Sequence, residues 1–65
     1  MTTLTPTETM RAIYRARRKR LGISQTQLAA VIGVVMDTLS RWERGEVRPD
    51  FDRWDAALRR LEGER

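Results

Sequence analysis

An all-α fold is predicted by three observations on the sequence. No segment alternates apolar and polar residues with period two, so no strand pattern exists. Apolar residues recur at helical spacing in four separate stretches. Each stretch is bounded by capping residues, proline or glycine, which act as helix start and stop signals. At 65 residues the chain has room for one domain, 1–65, with a small and efficient core.

The first helix is predicted over about residues 6 to 21. Thr5 supplies an N-cap hydroxyl, Pro6 occupies the first helical position, and Glu8 completes a capping box. Met10, Tyr14, Arg17 and Leu21 recur at helical spacing, with Ile13 beside them, and Gly22 is the stop. The second helix, about Gln25 to Ile32, has the strongest local signal. Ser24 and Gln27 form a capping box, and Ile23 and Leu28 take the hydrophobic-staple positions around it.

Gly33 ends the second helix, and a third runs from about Met36 to Arg44, with Gly45 as its stop. Val35, Leu39 and Trp42 cluster on one side of it, opposite Asp37, Ser40, Arg41 and Arg44. Val35 stands at the N-cap but cannot cap, and a later start with Asp37 as the cap is the alternative. Asp50 caps a fourth helix, whose stripe is Phe51, Trp54, Leu58 and Leu61. Asp55 and Arg59 form an outward i,i+4 pair on it, and Gly63 closes it.

Composition excludes several function classes. The chain has no cysteine and no histidine, which removes disulfides, Cys/His zinc sites and nucleophile–histidine catalytic pairs. No paired-carboxylate constellation is evident, so an enzyme is not expected, and neither is a cofactor or metal. The longest apolar stretch, Leu28 to Met36, is nine residues and is interrupted by Gly33, whereas a membrane span needs about 20. Met1 to Thr5 lack the basic and apolar regions of a secretory signal. Thirteen Lys and Arg against nine Asp and Glu give a net charge of +4, which fits a polyanionic partner. Divided at Gly33, that charge is +5 before and −1 after, so the third helix does not carry most of it.

Two short helices joined through a glycine form a helix-turn-helix arrangement over about residues 24–45. Leu28 and Ile32 face the core, and small Ala29 lets the two helices cross closely. Gly33 can take the positive φ that the sharp turn demands, and Val34 plugs the turn from inside. Leu39 and Trp42 anchor the third helix.

The ordered set Leu21-Gly22-Ile23-Ser24-Gln25, Leu28-Ala29, Ile32-Gly33-Val34, Arg41-Trp42-Glu43-Arg44-Gly45 and Pro49 resembles the XRE family. These are the Cro- and phage-repressor-like DNA-binding domains, and the resemblance covers about residues 8 to 61. It implies a compact lambda-repressor-like bundle of four or five helices, the third entering the DNA major groove. By position it implies base-reading sites at Met36, Asp37 and Arg41. Arg41 is suited to guanine O6 and N7, Asp37 to a cytosine amine and Met36 to a thymine methyl. Gln25, at the start of the second helix, is implied as a phosphate contact, where backbone amides already favour anions. Thr38, Arg44 and Arg48 are candidate phosphate contacts, and Ser40 lies on the same DNA-facing side. The resemblance also implies a structural pair between Arg18 and Glu43.

Plainer readings stand beside these. Trp42 and Trp54 sit at core spacing and are read as core rather than as base-stacking platforms. Arg15, Arg17, Arg18, Lys19 and Arg20 point in several directions, and Lys19 and Arg20 are read as solvated. Asp37 has a local alternative in stabilising the first turn, and Met36 has one in packing.

The expected function is a sequence-specific DNA-binding transcriptional regulator, a homodimeric repressor or autorepressor acting on double-stranded DNA at an inverted repeat. Resemblance and size suggest a phage or mobile-element operon of antitoxin-like or anti-CRISPR-associated type, in the bacterial cytoplasm at the nucleoid. Relatives often dimerise through a fifth helix; here exposed parts of the fourth helix, or the segment around Leu4, would take that role. The alternative is a protein–protein interaction module that retains the fold.

Overall fold

The computed structural model describes residues 5–63. Leu4, considered above for dimerisation, lies outside the described residues. Four helices follow one another: α1 (Pro6–Leu21), α2 (Gln25–Ile32), α3 (Met36–Arg44) and α4 (Phe51–Gly63). No strand occurs among the described residues.

The helix starts form through the expected local chemistry. In α1 the Thr5 hydroxyl accepts from the Glu8 amide at 3.1 Å, and the Glu8 carboxylate accepts from the Thr5 amide at 3.2 Å. In α2 the Ser24 hydroxyl accepts from the Gln27 amide at 3.1 Å, and the Gln27 side-chain oxygen accepts from the Ser24 amide at 2.7 Å. Asp50 accepts from the Arg53 amide at 3.2 Å and so caps α4. Helix α3 starts at Met36 with Val35 as an uncapped N-cap, so the delayed start at Asp37 does not occur. Gly63 is the last residue of α4 itself and, unlike the glycines after the other helices, has no left-handed φ.

Helix α2 packs on α3 and α4, and α1 packs on α4 and α3. The core between them is Tyr14, Leu28, Ala29, Ile32, Leu39, Trp42, Trp54, Ala57 and Leu58, with Leu21, Ile23, Val31, Val34, Phe51 and Leu61 packed around it. Truncating one of its fully buried leucines would cost about 2–5 kcal/mol. Both tryptophans are core residues, as their spacing indicates. The centre is aromatic: Tyr14 meets Trp54 edge-on at 5.2 Å and Phe51 edge-on at 5.6 Å, while Trp42 lies 5.7 Å from Trp54.

Three placements differ from the sequence reading. Val35 is 68% exposed and does not join Leu39 and Trp42, because as N-cap it precedes the helix and points away from its buried side. Met10 and Ile13 are also exposed, since α1 turns only Tyr14 fully inward. The Asp55–Arg59 pair forms at 2.8 Å, yet Asp55 is not simply outward. It also receives Arg17 of α1 at 2.8 Å, and Arg17 reaches on to Glu62 at 2.7 Å. Arg17 therefore belongs to a clasp between the first and last helices, with its guanidinium 5.4 Å from the Tyr14 ring centroid.

Candidate nucleic-acid interface

The interface begins at the turn between α2 and α3. Gly33 adopts φ +93°, a left-handed conformation that a side chain would strain, and its amide donates to the Ala29 carbonyl at 2.8 Å. The Val34 amide donates to the same carbonyl at 3.0 Å, so the chain reverses within one residue of the helix end. Ala29 is buried, which allows α3 to approach α2 closely. From α4, Arg53 donates through Nη2 to the Ile32 carbonyl at 2.9 Å, placing a cation on the negative end of α2.

Helix α3 is anchored by Leu39 and Trp42, which fixes what its other side presents. Met36, Asp37, Arg41 and Arg44 are exposed, while Thr38 and Ser40 are half-buried beside them. Arg41 Nε lies 3.0 Å from Asp37 Oδ2, one turn earlier. Arg44 pairs with Glu46, and Arg48 is exposed on the loop that leads to α4. Of the candidate residues on α3, Met36, Asp37, Arg41 and Arg44 are thus the ones most open to solvent. Val35 and Val47 add apolar area among the exposed residues flanking the helix.

Glu43 is the exception on α3, with a side chain only 3% exposed. Its Oε2 accepts from Arg18 Nε at 2.7 Å, and its Oε1 accepts from Arg18 Nη2 at 3.1 Å. The same Oε1 accepts from Gln25 Nε2 at 3.0 Å. Arg18 uses Nη1 to reach the Ile23 carbonyl at 2.9 Å. One carboxylate therefore ties α1, the start of α2 and α3 together, and the Arg18–Glu43 pair implied by resemblance is present. Gln25 stays at the N-terminus of α2, but its amide nitrogen is turned toward Glu43 rather than left free in solvent.

Two residues that the sequence reading did not assign belong beside this surface. Arg11 and Arg15 of α1, together with Glu8, Ala12, Glu43 and Arg44, line a cleft of about 410 Å³. Arg15 Nε lies 3.9 Å from Glu43 Oε1, the oxygen that Gln25 also contacts. The Arg11 guanidinium lies over Gly45, with its carbon 2.8 Å from where a Cβ would be. The signal was available: positions 11, 15 and 18 follow i, i+4, i+7 spacing and put three arginines on one helix face. The denser basic run from 15 to 20, whose members point in several directions, masks it.

Among the described residues, no group of His, Cys, Asp or Glu could hold a metal ion, and no helix is long and apolar enough to cross a membrane.

Two short helices crossing through a glycine turn, the second anchored by its inner side and charged on its outer side, define a helix-turn-helix domain. The chain belongs to the helix-turn-helix family, in its XRE branch of Cro- and phage-repressor-like proteins, and the family match spans residues 15–64. It is 43% identical over 44 residues to repressor protein C2 of Salmonella phage P22, a match covering 68% of this chain. The chain spans about a fifth of that relative, 20% of its length. No solved structure matches it significantly.

Proposed function

We propose that this chain is a DNA-binding regulator of repressor type that reads sequence through α3. The observation that carries the reading is the row Met36, Asp37 and Arg41, exposed on a helix whose opposite side is locked into the core. In helix-turn-helix proteins the N-terminal part of the second helix meets base edges in the major groove; Met36 and Asp37 occupy that part, and Arg41 follows one turn on from Asp37. In this reading Thr38, Ser40, Arg44 and Arg48 are the flanking contacts, and Gln25 marks the N-terminus of α2, whose amides suit a phosphate. Arg11 and Arg15 extend the cationic edge along α1 and are suited to the phosphate backbone.

The likeness to a phage repressor supports repression by occupying a promoter, in a phage or mobile-element operon. A homodimer would present two copies of α3 to half-sites about 34 Å apart, matching an inverted repeat. Gel-shift or fluorescence titration against the DNA upstream of the coding region, and against a scrambled duplex, tests the reading across salt. Specific readout requires a preference for the upstream DNA that survives rising salt, because nonspecific binding is almost entirely phosphate electrostatics. Equal affinity at every salt concentration removes the proposal.

A second reading is favoured by the exposed apolar residues Val35, Met36 and Val47, which suit a protein-docking surface. Full DNA binding and full biological activity in an Arg41→Ala variant would favour it over the first.

A further inference from the structure

Asp37 and Arg41 form one unit on the outer side of α3, joined between Oδ2 and Nε at 3.0 Å. A guanidinium carries its five N–H groups in a rigid planar fork. A carboxylate at Nε occupies the side edge of that fork and leaves the end edge, Nη1 and Nη2, directed away along the side chain. Neither Nη of Arg41 makes a hydrogen bond among the described residues. That end edge is the one that matches guanine O6 and N7.

We propose that Asp37 is a positioning residue that aims Arg41 at a guanine in the major groove, so the two side chains read one base together. The inference rests on the reading of α3 as the recognition helix and deepens it.

Three features favour positioning over a fold-stabilising role. Both side chains are more than half exposed, 66% and 53%, where an i,i+4 pair contributes little to stability. A carboxylate on a surface facing a phosphate backbone works against affinity, so what it adds to DNA binding is geometry or selectivity. Arg41 otherwise has a flexible stem and could swing to a phosphate, the contact that carries no sequence information. The pair biases Arg41 away from the phosphates before binding, and expelling water in the groove strengthens the ion pair.

The test selects duplexes from a randomised pool with the wild-type protein and with the Asp37→Ala, Asp37→Asn and Arg41→Ala variants. Each is then titrated against the wild-type-selected duplex with guanine or 7-deazaguanine at the guanine positions. The wild type is expected to select a guanine whose loss of N7 weakens binding by about tenfold, in line with a bidentate base contact. Arg41→Ala should be indifferent to that change. Asp37→Ala should bind DNA at least as tightly overall but keep less than about threefold discrimination, because its arginine is free to take a phosphate. Asp37→Asn, which keeps an acceptor oxygen beside Nε but loses the charge, should retain an intermediate preference. An Asp37→Ala protein with the full wild-type guanine preference overturns the positioning role and leaves the DNA reading intact. A wild-type protein that selects no sequence overturns the DNA reading, and this inference with it.

Discussion

Glu43 grips the guanidinium of Arg18 with both carboxylate oxygens, at 2.7 and 3.1 Å, joining α3 to the end of α1. The two side chains are 3% and 11% exposed, so removing either one strands the other away from water. Glu43→Ala and Arg18→Ala should each lower stability by about 3–5 kcal/mol. The double variant Arg18→Met with Glu43→Leu should cost less than either alanine, because no orphaned charge remains. Urea denaturation of the four proteins measures this directly.

The clasp of Arg17 with Asp55 and Glu62 gives stability a defined acid dependence. Hydrogen bonds from Arg17 hold both carboxyls below their ordinary values of 3.8 and 4.5. The unfolded chain therefore takes up these protons first, so the clasp contributes fully above the ordinary carboxylate range. That contribution is lost as pH falls through the depressed values. An Arg17→Met variant should melt below the wild type at pH 7, and the gap should close as pH drops below about 4. With no histidine or cysteine in the chain, the wild-type melting temperature should be nearly flat from about pH 5.5 to 8. At high pH, burial raises the Tyr14 hydroxyl above 10.0, so the stability it contributes disappears as pH rises through its folded value. Tyr14→Phe should abolish that alkaline decline.

Gly33→Ala should destabilise the protein by about 1–3 kcal/mol, the cost of a side chain in the left-handed region. The added Cβ would also lie 3.0 Å from Arg53 Nη2, which must shift. Thermal melts of Gly33→Ala and Arg53→Ala, alone and combined, should show that the two losses are not additive.

If Arg11, Arg15 and Arg44 line the path of a phosphate backbone, replacing each by alanine should weaken selected and scrambled duplexes alike. Each change should reduce the slope of log affinity against log salt by about 1. Arg41→Ala should behave differently, lowering affinity mainly for the selected duplex. Titrations at four or more salt concentrations separate the two patterns.

Trp54 is fully buried, and its Nε1 has no hydrogen-bond partner among the described residues. An unmatched buried donor costs about 1–3 kcal/mol, which offsets part of what the indole gains by filling the core. Trp54→Phe should therefore cost far less than the roughly 3–5 kcal/mol expected for Trp54→Ala. Chemical denaturation of both variants checks the ranking.

Helix limits were legible in the sequence because capping is local chemistry. Thr5 with Glu8, and Ser24 with Gln27, specify their helix starts within four residues. The outward row on α3 was legible because Leu39 and Trp42 define the buried side and helical geometry supplies the rest. Contacts between distant segments were harder to read. Nothing near Asp55 announces Arg17 of α1, and periodicity on α1 could not show that Ile13 faces water while Tyr14 enters the core. Local pattern alone did not reveal Arg18 with Glu43 either; resemblance to a family did. Gln25 turned toward Glu43 was invisible to both, because it depends on the angle between α2 and α3.

The bond from Arg53 to the Ile32 carbonyl separates what is recognised from what is built. Residues 24–45 hold every feature that names the motif, yet the brace on their turn comes from outside them, eight residues after Gly45. The motif is a unit of spelling and not a unit of architecture. Transplanting those 22 residues onto another scaffold would carry over the exposed side chains of α3. It would leave behind the strut that braces the turn beneath them.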